Sequence, residues 1–178
     1  IRVNLPIYHG TENDSLERGI GHLLGSSLPV GGSSTHAVLS GHSGMAGQKM
    51  FTDLLQMKTG DIFYLHVLGE TLAYEVDSLN TVLPHDTSLL GITDGSDLCT
   101  LITCTPIAVN SHRLLVTGHR IPFEAAKEMV EEAQQEDTEV ESTWEQEYLR
   151  GLYIAIAVVL ILFLICIVVA LLGRNNDA

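Results

Sequence analysis

Short apolar and β-branched runs recur along residues 1–123 of the chain. Most are four to eight residues long, and turn residues separate them, which is typical of strands joined by turns. The runs predict strands over residues 3–8, 36–40, 62–68, 71–79, 82–83, 98–103 and 114–117. Alternation divides the strand over 71–79 into two sets. The set predicted to face the core is Leu72, Tyr74 and Val76, and the set predicted to face water is Ala73, Glu75 and Asp77.

Helical spacing of apolar residues is confined to three places. Asp14 is in position to cap a short helix over residues 15–20, and residues 48–57 repeat apolar side chains at the spacing of a core-facing helix. A third helical pattern begins at Pro122 and ends where an acidic stretch begins. Many short strands with two short helices indicate a mainly β fold, either an antiparallel barrel or a sandwich, and not a parallel α/β sheet.

Charge is unevenly distributed along the chain. The formal net charge is −13, and residues 124–147 hold ten acidic residues and one lysine. Clustered glutamates repel one another along a helix, so we predict a partly helical acidic linker over residues 124–150. An acidic chain lacks the basic face that phosphate binding requires, which argues against nucleic acid as a partner.

An uncharged apolar stretch occupies residues 152–172. Its 21 residues would span roughly 30 Å as a helix, enough to cross the core of a bilayer. Tyr153 and Arg174 stand near its two ends, where such residues meet the membrane interface. We therefore predict a transmembrane helix over residues 151–173 and a short tail over 174–178. Arg150 flanks the first end, so positive charges alone leave the orientation nearly undecided.

Candidate chemistry centres on residues 98–120. A predicted strand ends at Cys104, a Thr-Pro pair stops it, and Arg113 opens the next strand. If these strands are neighbours, the cation lies beside the thiol and favours the thiolate, which is the nucleophilic form. Cys99 would lie roughly 16 Å from Cys104 along one strand, beyond the limit of about 7 Å for a disulfide. We therefore expect no disulfide and interpret Cys99 as a structural thiol.

His42 is the best candidate for proton transfer. It follows a predicted strand and lies between Gly41 and Gly44, which leave room for an open side chain. The seven other histidines stand in strands or follow turn residues, and none has metal-site spacing with supporting ligands, so we predict no zinc. Residues 41–49 lack the Gly-Lys-Ser/Thr ending of a phosphate-binding loop. These residues alone leave open whether Cys104 is catalytic or an inert thiol.

Several ordered motifs resemble those of sortases, closest to the pilus-assembling class C. The strongest is TLITCTP at residues 100–106, followed by NSHRLLVTGHR at residues 110–120. Further landmarks of the family are matched by LPIYHG at residues 5–10, GHSG at 41–44 and FYLHVLG at 63–69. The resemblance covers about residues 1–123. It implies a sortase-like antiparallel β-barrel with short helices, followed by a C-terminal transmembrane helix.

The resemblance also implies a reaction and the residues that carry it. Cys104 would attack the Thr–Gly peptide bond of an LPXTG-type sorting signal and form a thioester. Arg113 would stabilise the oxyanion, and His42 would transfer the proton. A pilin lysine amine would then resolve the thioester, and no cofactor is implied. The residues expected to bind substrate are Thr103, Thr105 and Ser43.

The resemblance further implies a location and a domain arrangement. Sortases act on the outer face of the cell membrane of Gram-positive bacteria. We therefore expect an extracellular domain held at the cell membrane, with a cytoplasmic tail over residues 174–178. Class C enzymes carry an N-terminal lid, and residues 1–123 are interpreted as a catalytic domain that lacks this lid and its first strand. Ser43 stands where many relatives have a basic residue. Ile107 and Ala108 stand where an aromatic residue and a glycine are common. Because these differences lie beside the expected site, they bear on substrate preference and not on the reaction.

Two alternatives remain open. A housekeeping sortase would use the same chemistry but transfer the acyl group to a peptidoglycan amine, so the accepted nucleophile would distinguish it. A membrane-tethered binding module with a sortase-like fold would have an inert Cys104, which would resist thiol reagents until the protein unfolds.

Overall fold

The computed structural model describes residues 1, 3–45, 47–134, 148–156 and 158–159. The chain forms two compact units, Ile1–Met129 and Val130–Ala178. All strands found in the described residues belong to the first unit. In the second unit, the described residues 130–134, 148–156 and 158–159 are helical.

Seven strands form one sheet within the described residues. They are β1 (Ile7–His9), β2 (Ile20–His22), β3 (Thr35–Ser40), β4 (Ile62–Val67), β5 (Glu70–Val82), β6 (Asp97–Thr105) and β7 (His112–Ile121). Their order is β1-β2-β3-β6-β7-β5-β4, and the sheet curls into a half-barrel. The predicted mainly β fold is confirmed.

Two strand pairs depart from the predicted antiparallel arrangement. β1 pairs with β2 in parallel, and so does β3 with β6, whereas the other four pairs are antiparallel. Parallel neighbours need a connection that crosses over the sheet. The helix α1 (Asn13–Arg18) is part of such a connection between β1 and β2.

The predicted helices are shorter or shifted in the structure. α1 begins after Glu12, so Asp14 lies in its first turn and is not the N-cap residue. The segment 48–57 contains only a 3₁₀ helix, Thr52–Gln56. Met50 has a φ of 40°, which is outside the helical region and prevents a regular helix from starting earlier.

The main core cluster draws on the strands from β2 to β7 and on the segment around the 3₁₀ helix. Leu72, Tyr74 and Val76 belong to it, as alternation along β5 predicts. Burial raises the pKa of the Tyr74 hydroxyl, which donates a 2.9 Å hydrogen bond to Asp97. The polar end of this large side chain is therefore satisfied inside the first unit.

The opposite face of β5 is partly covered as well. Ala73 is fully buried in a second apolar cluster with Ile121 and Ala126. Ala126 lies in the helical stretch over residues 123–134 that follows β7. The prediction that Ala73 faces water is therefore wrong, because a helix from another part of the chain covers it.

The predicted membrane segment and tail lie largely outside the described residues. Of the transmembrane helix predicted over 151–173, only residues 151–156, 158 and 159 are described, and the tail over 174–178 is not. In the described part of the chain, no helix is both long enough and apolar enough to cross a bilayer. The predicted linker is helical up to residue 134, and residues 135–147 lie outside the description.

Candidate active site

Cys104 and Arg113 lie opposite each other on neighbouring antiparallel strands. The register of β6 and β7 pairs Cys104 with Arg113, and the next pair, Thr105 with His112, closes the ladder. Directly paired residues project from the same face of a sheet, with Cβ atoms about 5 Å apart. The predicted placement of Cys104 and Arg113 on neighbouring strands is therefore confirmed, at the end of the sheet where β6 turns into β7.

The loop that carries His42 is fastened to the same end of the sheet. β3 runs parallel to β6, and its last residue, Ser40, pairs with Ile102. His42 follows two residues after Ser40, just beyond the end of β3, and Cys104 lies two residues after Ile102 on β6. The Ser43 hydroxyl donates a 2.6 Å hydrogen bond to the Cys104 carbonyl oxygen. This bond ties the residue after the histidine to the residue that bears the thiol.

His42 itself is half-buried. Its carbonyl oxygen accepts a hydrogen bond of 2.9 Å from the backbone N–H of Phe51, which orients the main chain of the loop. Its imidazole ring makes no hydrogen bond to any residue that the structure describes. Both ring nitrogens are therefore available to a substrate or to a nearby thiol.

Glycines allow the His42 loop to pack closely. A Cβ atom on Gly41 would lie 2.6 Å from Ile20 Cδ1 and 2.8 Å from Phe51 Cδ2, so a larger residue would clash with the core. Gly44 has a φ of +69°, and a Cβ there would lie 2.6 Å from Ile107 Cγ2. The sequence suggested that these glycines open space around His42, but the structure shows that they permit close packing.

The guanidinium group of Arg113 is oriented by backbone carbonyls. Its Nη1 donates hydrogen bonds to Asn110 O at 3.2 Å and to His112 O at 3.0 Å. Among the described residues, no carboxylate forms a salt bridge with this side chain. A guanidinium has five N–H donors, so most of them remain available for an oxyanion or a substrate carbonyl.

Thr103 and Thr105 lie on the other face of β6 from Cys104, because adjacent strand residues point in opposite directions. Thr103 is 1% exposed, and its hydroxyl donates a 2.8 Å hydrogen bond to Gly41 O. Thr105 is also buried. The structure thus does not bring these two side chains to the thiol. Their role in substrate binding, like that of Ser43, stays a prediction, and Thr103 acts here as a support for the His42 loop.

The two described cysteines differ in accessibility. Both are free thiols. Cys99 is fully buried, and this burial raises the pKa of its thiol, which suppresses the nucleophilic thiolate. Cys104 is partly exposed. The interpretation of Cys99 as a structural residue is consistent with its position in the main core cluster.

Most of the other described histidines have hydrogen-bond partners nearby. His66 bonds the Thr71 hydroxyl at 3.0 Å, and His119 bonds Asp77 at 2.8 Å. The rings of His9 and His22 are stacked, with their Nδ1 atoms 3.1 Å apart. Within the described ranges, no group of three or more His, Cys, Asp or Glu side chains is arranged to hold a metal ion.

Comparisons with known proteins identify the family that the chain resembles in sequence and fold. The family model of the sortase domain matches residues 1–121. The crystal structure of sortase C-1 from Actinomyces oris is similar, with a TM-score of 0.67 and 58% identity over 68% of this chain and 69% of that chain. Sortase C2 of pilus island 1 from group B Streptococcus has a TM-score of 0.67 and 53% identity over 68% of this chain and 69% of that chain.

Among curated proteins, sortase A of Streptococcus agalactiae is 30% identical over 108 residues, which are 59% of this chain and 43% of that protein. Sortase D of Bacillus subtilis is 29% identical over 124 residues, or 68% of this chain and 60% of that protein. The chain thus spans about half of the length of the curated relatives that it matches.

Proposed function

The chain belongs to the sortase family, and we propose that it is a cysteine transpeptidase acting on LPXTG-type sorting signals. The observation that carries the proposal is the pairing of Cys104 with Arg113 beside a loop that presents His42. A nucleophile, an oxyanion donor and a proton-transfer group are the three parts that acyl transfer needs.

The first half of the reaction forms a thioester. Cys104 reacts as the thiolate, and its sulfur attacks the carbonyl carbon of the Thr–Gly bond. The N–H groups of Arg113 stabilise the negative charge that develops on the carbonyl oxygen. The C–N bond then breaks, and protonated His42 gives its proton to the departing glycine amine. Cys104 is left as the acyl thioester, and His42 is left neutral.

The second half transfers the acyl group to an amine. The nitrogen of the incoming amine attacks the thioester carbonyl, and His42 accepts a proton from it. The C–S bond breaks and returns Cys104 to the thiolate. With a lysine side chain as the acceptor the product is an isopeptide bond, and with water it is a free carboxylate.

The proposed acceptor is a pilin lysine. Its support is the similarity to a sortase C of a pilus island. A peptidoglycan amine is the acceptor in the alternative, a housekeeping sortase, and similarity to proteins named sortase A supports that candidate. LPXTG-bearing pilin or surface proteins are the proposed partners in both cases.

The proposed arrangement has four parts. Residues 1–123 are the catalytic domain, residues 124–150 the linker, residues 151–173 a transmembrane helix and residues 174–178 a cytoplasmic tail. The apolar composition of residues 152–172 supports the membrane segment. It would hold the catalytic domain at the outer face of the membrane of a Gram-positive bacterium.

The test is covalent capture of the acyl-enzyme. The full chain in detergent micelles is incubated with an LPXTG peptide, and intact mass and peptide mapping locate any adduct. We expect an adduct on Cys104 in the wild type and in the matched control Cys99→Ala, and none in Cys104→Ala. Absence of an adduct from a folded wild type, or its retention in Cys104→Ala, would contradict the proposal.

Acceptor competition then separates the two sortase roles. A lysine-containing pilin peptide and an oligoglycine peptide are offered together to the acyl-enzyme, and the two products are quantified by mass. A preference for the lysine amine supports pilus polymerisation, and a preference for the oligoglycine amine supports attachment to the cell wall. An inert binding module would give neither product.

A further inference from the structure

The connection between β5 and β6 passes over the face of the sheet that carries the candidate site. β5 ends at Val82, opposite Arg113, and β6 begins at Asp97, opposite Thr35 on β3. Because β7 lies between β5 and β6, residues 83–96 must cross it. We call residues 83–96 the crossover segment and the sheet face that bears Cys104 the Cys104 face.

Burial on the Cys104 face is consistent with this path. Val38 and Leu115 are 0% and 1% exposed, although neither belongs to the main core cluster. Leu115 lies two residues from Arg113 on β7, so both side chains project from the Cys104 face. An outward face of a half-barrel is expected to be wet unless another segment covers it.

One buried histidine connects the crossover segment to the sheet. His36 on β3 is 1% exposed, and its Nδ1 lies 2.9 Å from Gly91 O in the middle of the crossover segment. Its Nε2 lies 2.7 Å from Thr100 Oγ1, which in turn lies 2.8 Å from Thr117 Oγ1. Thr100 and Cys104 are four residues apart on β6 and therefore share the Cys104 face.

The chemistry of these groups gives the hydrogen bonds a direction. A carbonyl oxygen only accepts, so Nδ1 of His36 carries the proton and donates it to Gly91 O. In the neutral ring Nε2 is then an acceptor, and the Thr100 hydroxyl donates to it. The Thr100 oxygen remains free to accept from the Thr117 hydroxyl. All the hydrogen-bonding groups of His36, Thr100 and Gly91 O in this network are satisfied with one tautomer of the ring. In the described part of the molecule, the bonds from Ser34 and Thr35 reach only the end of the crossover segment, at residues 94–96.

We infer that His36 is a positioning residue for the transpeptidation proposed above, on which this inference rests. Its ring clamps the crossover segment against the Cys104 face. The segment starts next to the residue that pairs with Arg113, so its position sets one wall of the approach to Cys104. Thr100, to which the ring is bonded, lies roughly 13 Å along β6 from Cys104, the length of four strand residues, and the ring does not contact the reacting atoms.

The expected effect of breaking the clamp is on substrate binding more than on the chemical step. Loss of one hydrogen bond that holds a binding wall raises KM about fivefold and changes kcat for thioester formation less than about twofold. Amide hydrogen exchange in residues 84–96 rises at the same time, because the segment loses its internal anchor.

The test compares two replacements of His36 in the full chain in detergent micelles. His36→Leu removes both ring nitrogens but keeps an apolar side chain, whereas His36→Asn retains an amide donor near the position of Nδ1. We expect faster exchange in residues 84–96 and a higher KM in His36→Leu, with both restored toward wild type in His36→Asn. Unchanged exchange in His36→Leu, or an equal rise throughout residues 1–129, would overturn the inference.

A second pair of variants keeps the inference testable if His36→Leu does not fold. Thr100→Val preserves side-chain shape and removes the hydroxyl that bonds His36. The matched control Thr117→Val removes only the hydroxyl that bonds Thr100 and does not touch His36. Faster exchange of the crossover segment in Thr100→Val but not in Thr117→Val supports the clamp, and equal behaviour of the two overturns it. If wild type forms no adduct on Cys104, the proposed function fails, and the exchange measurements alone then decide whether His36 holds the segment.

Discussion

Thr103→Val tests whether the buried face of β6 supports the His42 loop. The substitution preserves side-chain shape and removes the hydroxyl that donates to Gly41 O at 2.8 Å. Because Thr103 is 1% exposed, water cannot easily replace that donor. A buried acceptor left without its partner costs about 2 kcal/mol of folding free energy. With an m value of about 2 kcal/mol per molar urea, the unfolding midpoint falls by about 1 M.

The same substitution removes the hydrogen bond that holds Gly41, the residue before His42. We expect the rate of thioester formation to fall as a result. If a misplaced imidazole costs about 1.4 kcal/mol in the transition state, thioester formation slows about tenfold with little change in KM. Quenched-flow measurement of acylation with an LPXTG peptide gives the rate of thioester formation and KM. Urea titration of the same preparation gives the unfolding midpoint.

Thr103→Ser is the matched control. It keeps the hydroxyl and loses a buried methyl group, so stability falls by about 1 kcal/mol while the acylation rate stays near that of wild type. A Thr103→Val variant with an unchanged rate and midpoint but a raised KM would refute the reasoning, because this result is expected of a residue that contacts substrate directly.

Three further variants or modifications test neighbouring features. Arg113→Lys should slow single-turnover acylation by at least about a hundredfold, since an ammonium cannot reproduce the planar donor fork; a near-normal rate would remove the guanidinium from the oxyanion role. Iodoacetamide at pH 8 should alkylate Cys104 in the folded chain and Cys99 only after unfolding, because burial raises the pKa of the Cys99 thiol; peptide mapping would show any early labelling of Cys99. Gly118→Ala should lower the urea midpoint, because its Cβ would lie 2.7 Å from a backbone oxygen of β5, whereas Gly91→Ala, with open space around it, should not; equal midpoints would contradict the packing argument.

Much of the first unit is predictable from local sequence. Runs of β-branched residues between turn residues identify the longer strands, since each strand must bury one face. The motif from Cys104 to Arg113 is short, and an antiparallel return over eight intervening residues brings its two ends onto neighbouring strands. The candidate nucleophile and its cation were therefore predictable from their order along the chain.

The strand pairing between distant segments is less accessible to local patterns. The parallel pairing of β3 with β6 joins residues more than sixty positions apart, and the intervening sequence does not state on which side of the sheet it returns. That pairing brings the His42 loop to Cys104. The resemblance to sortase motifs predicts His42 as the proton-transfer residue. The hydrogen bond from Ser43 to the Cys104 carbonyl, however, exists only in the folded chain.

The sequence by itself predicted the longer strands and the placement of Cys104 and Arg113 on neighbouring strands. It also showed that the acidic and apolar C-terminal stretches differ from the rest. Only the tertiary structure decided which faces are covered and which polar groups support the site. Ala73 is buried by a helix from beyond β7, Thr103 faces away from the thiol that it adjoins in sequence, and His36 bonds a segment fifty-five residues away. Alternation along one strand assigns side chains to two faces, but what packs on each face depends on contacts between segments distant in sequence.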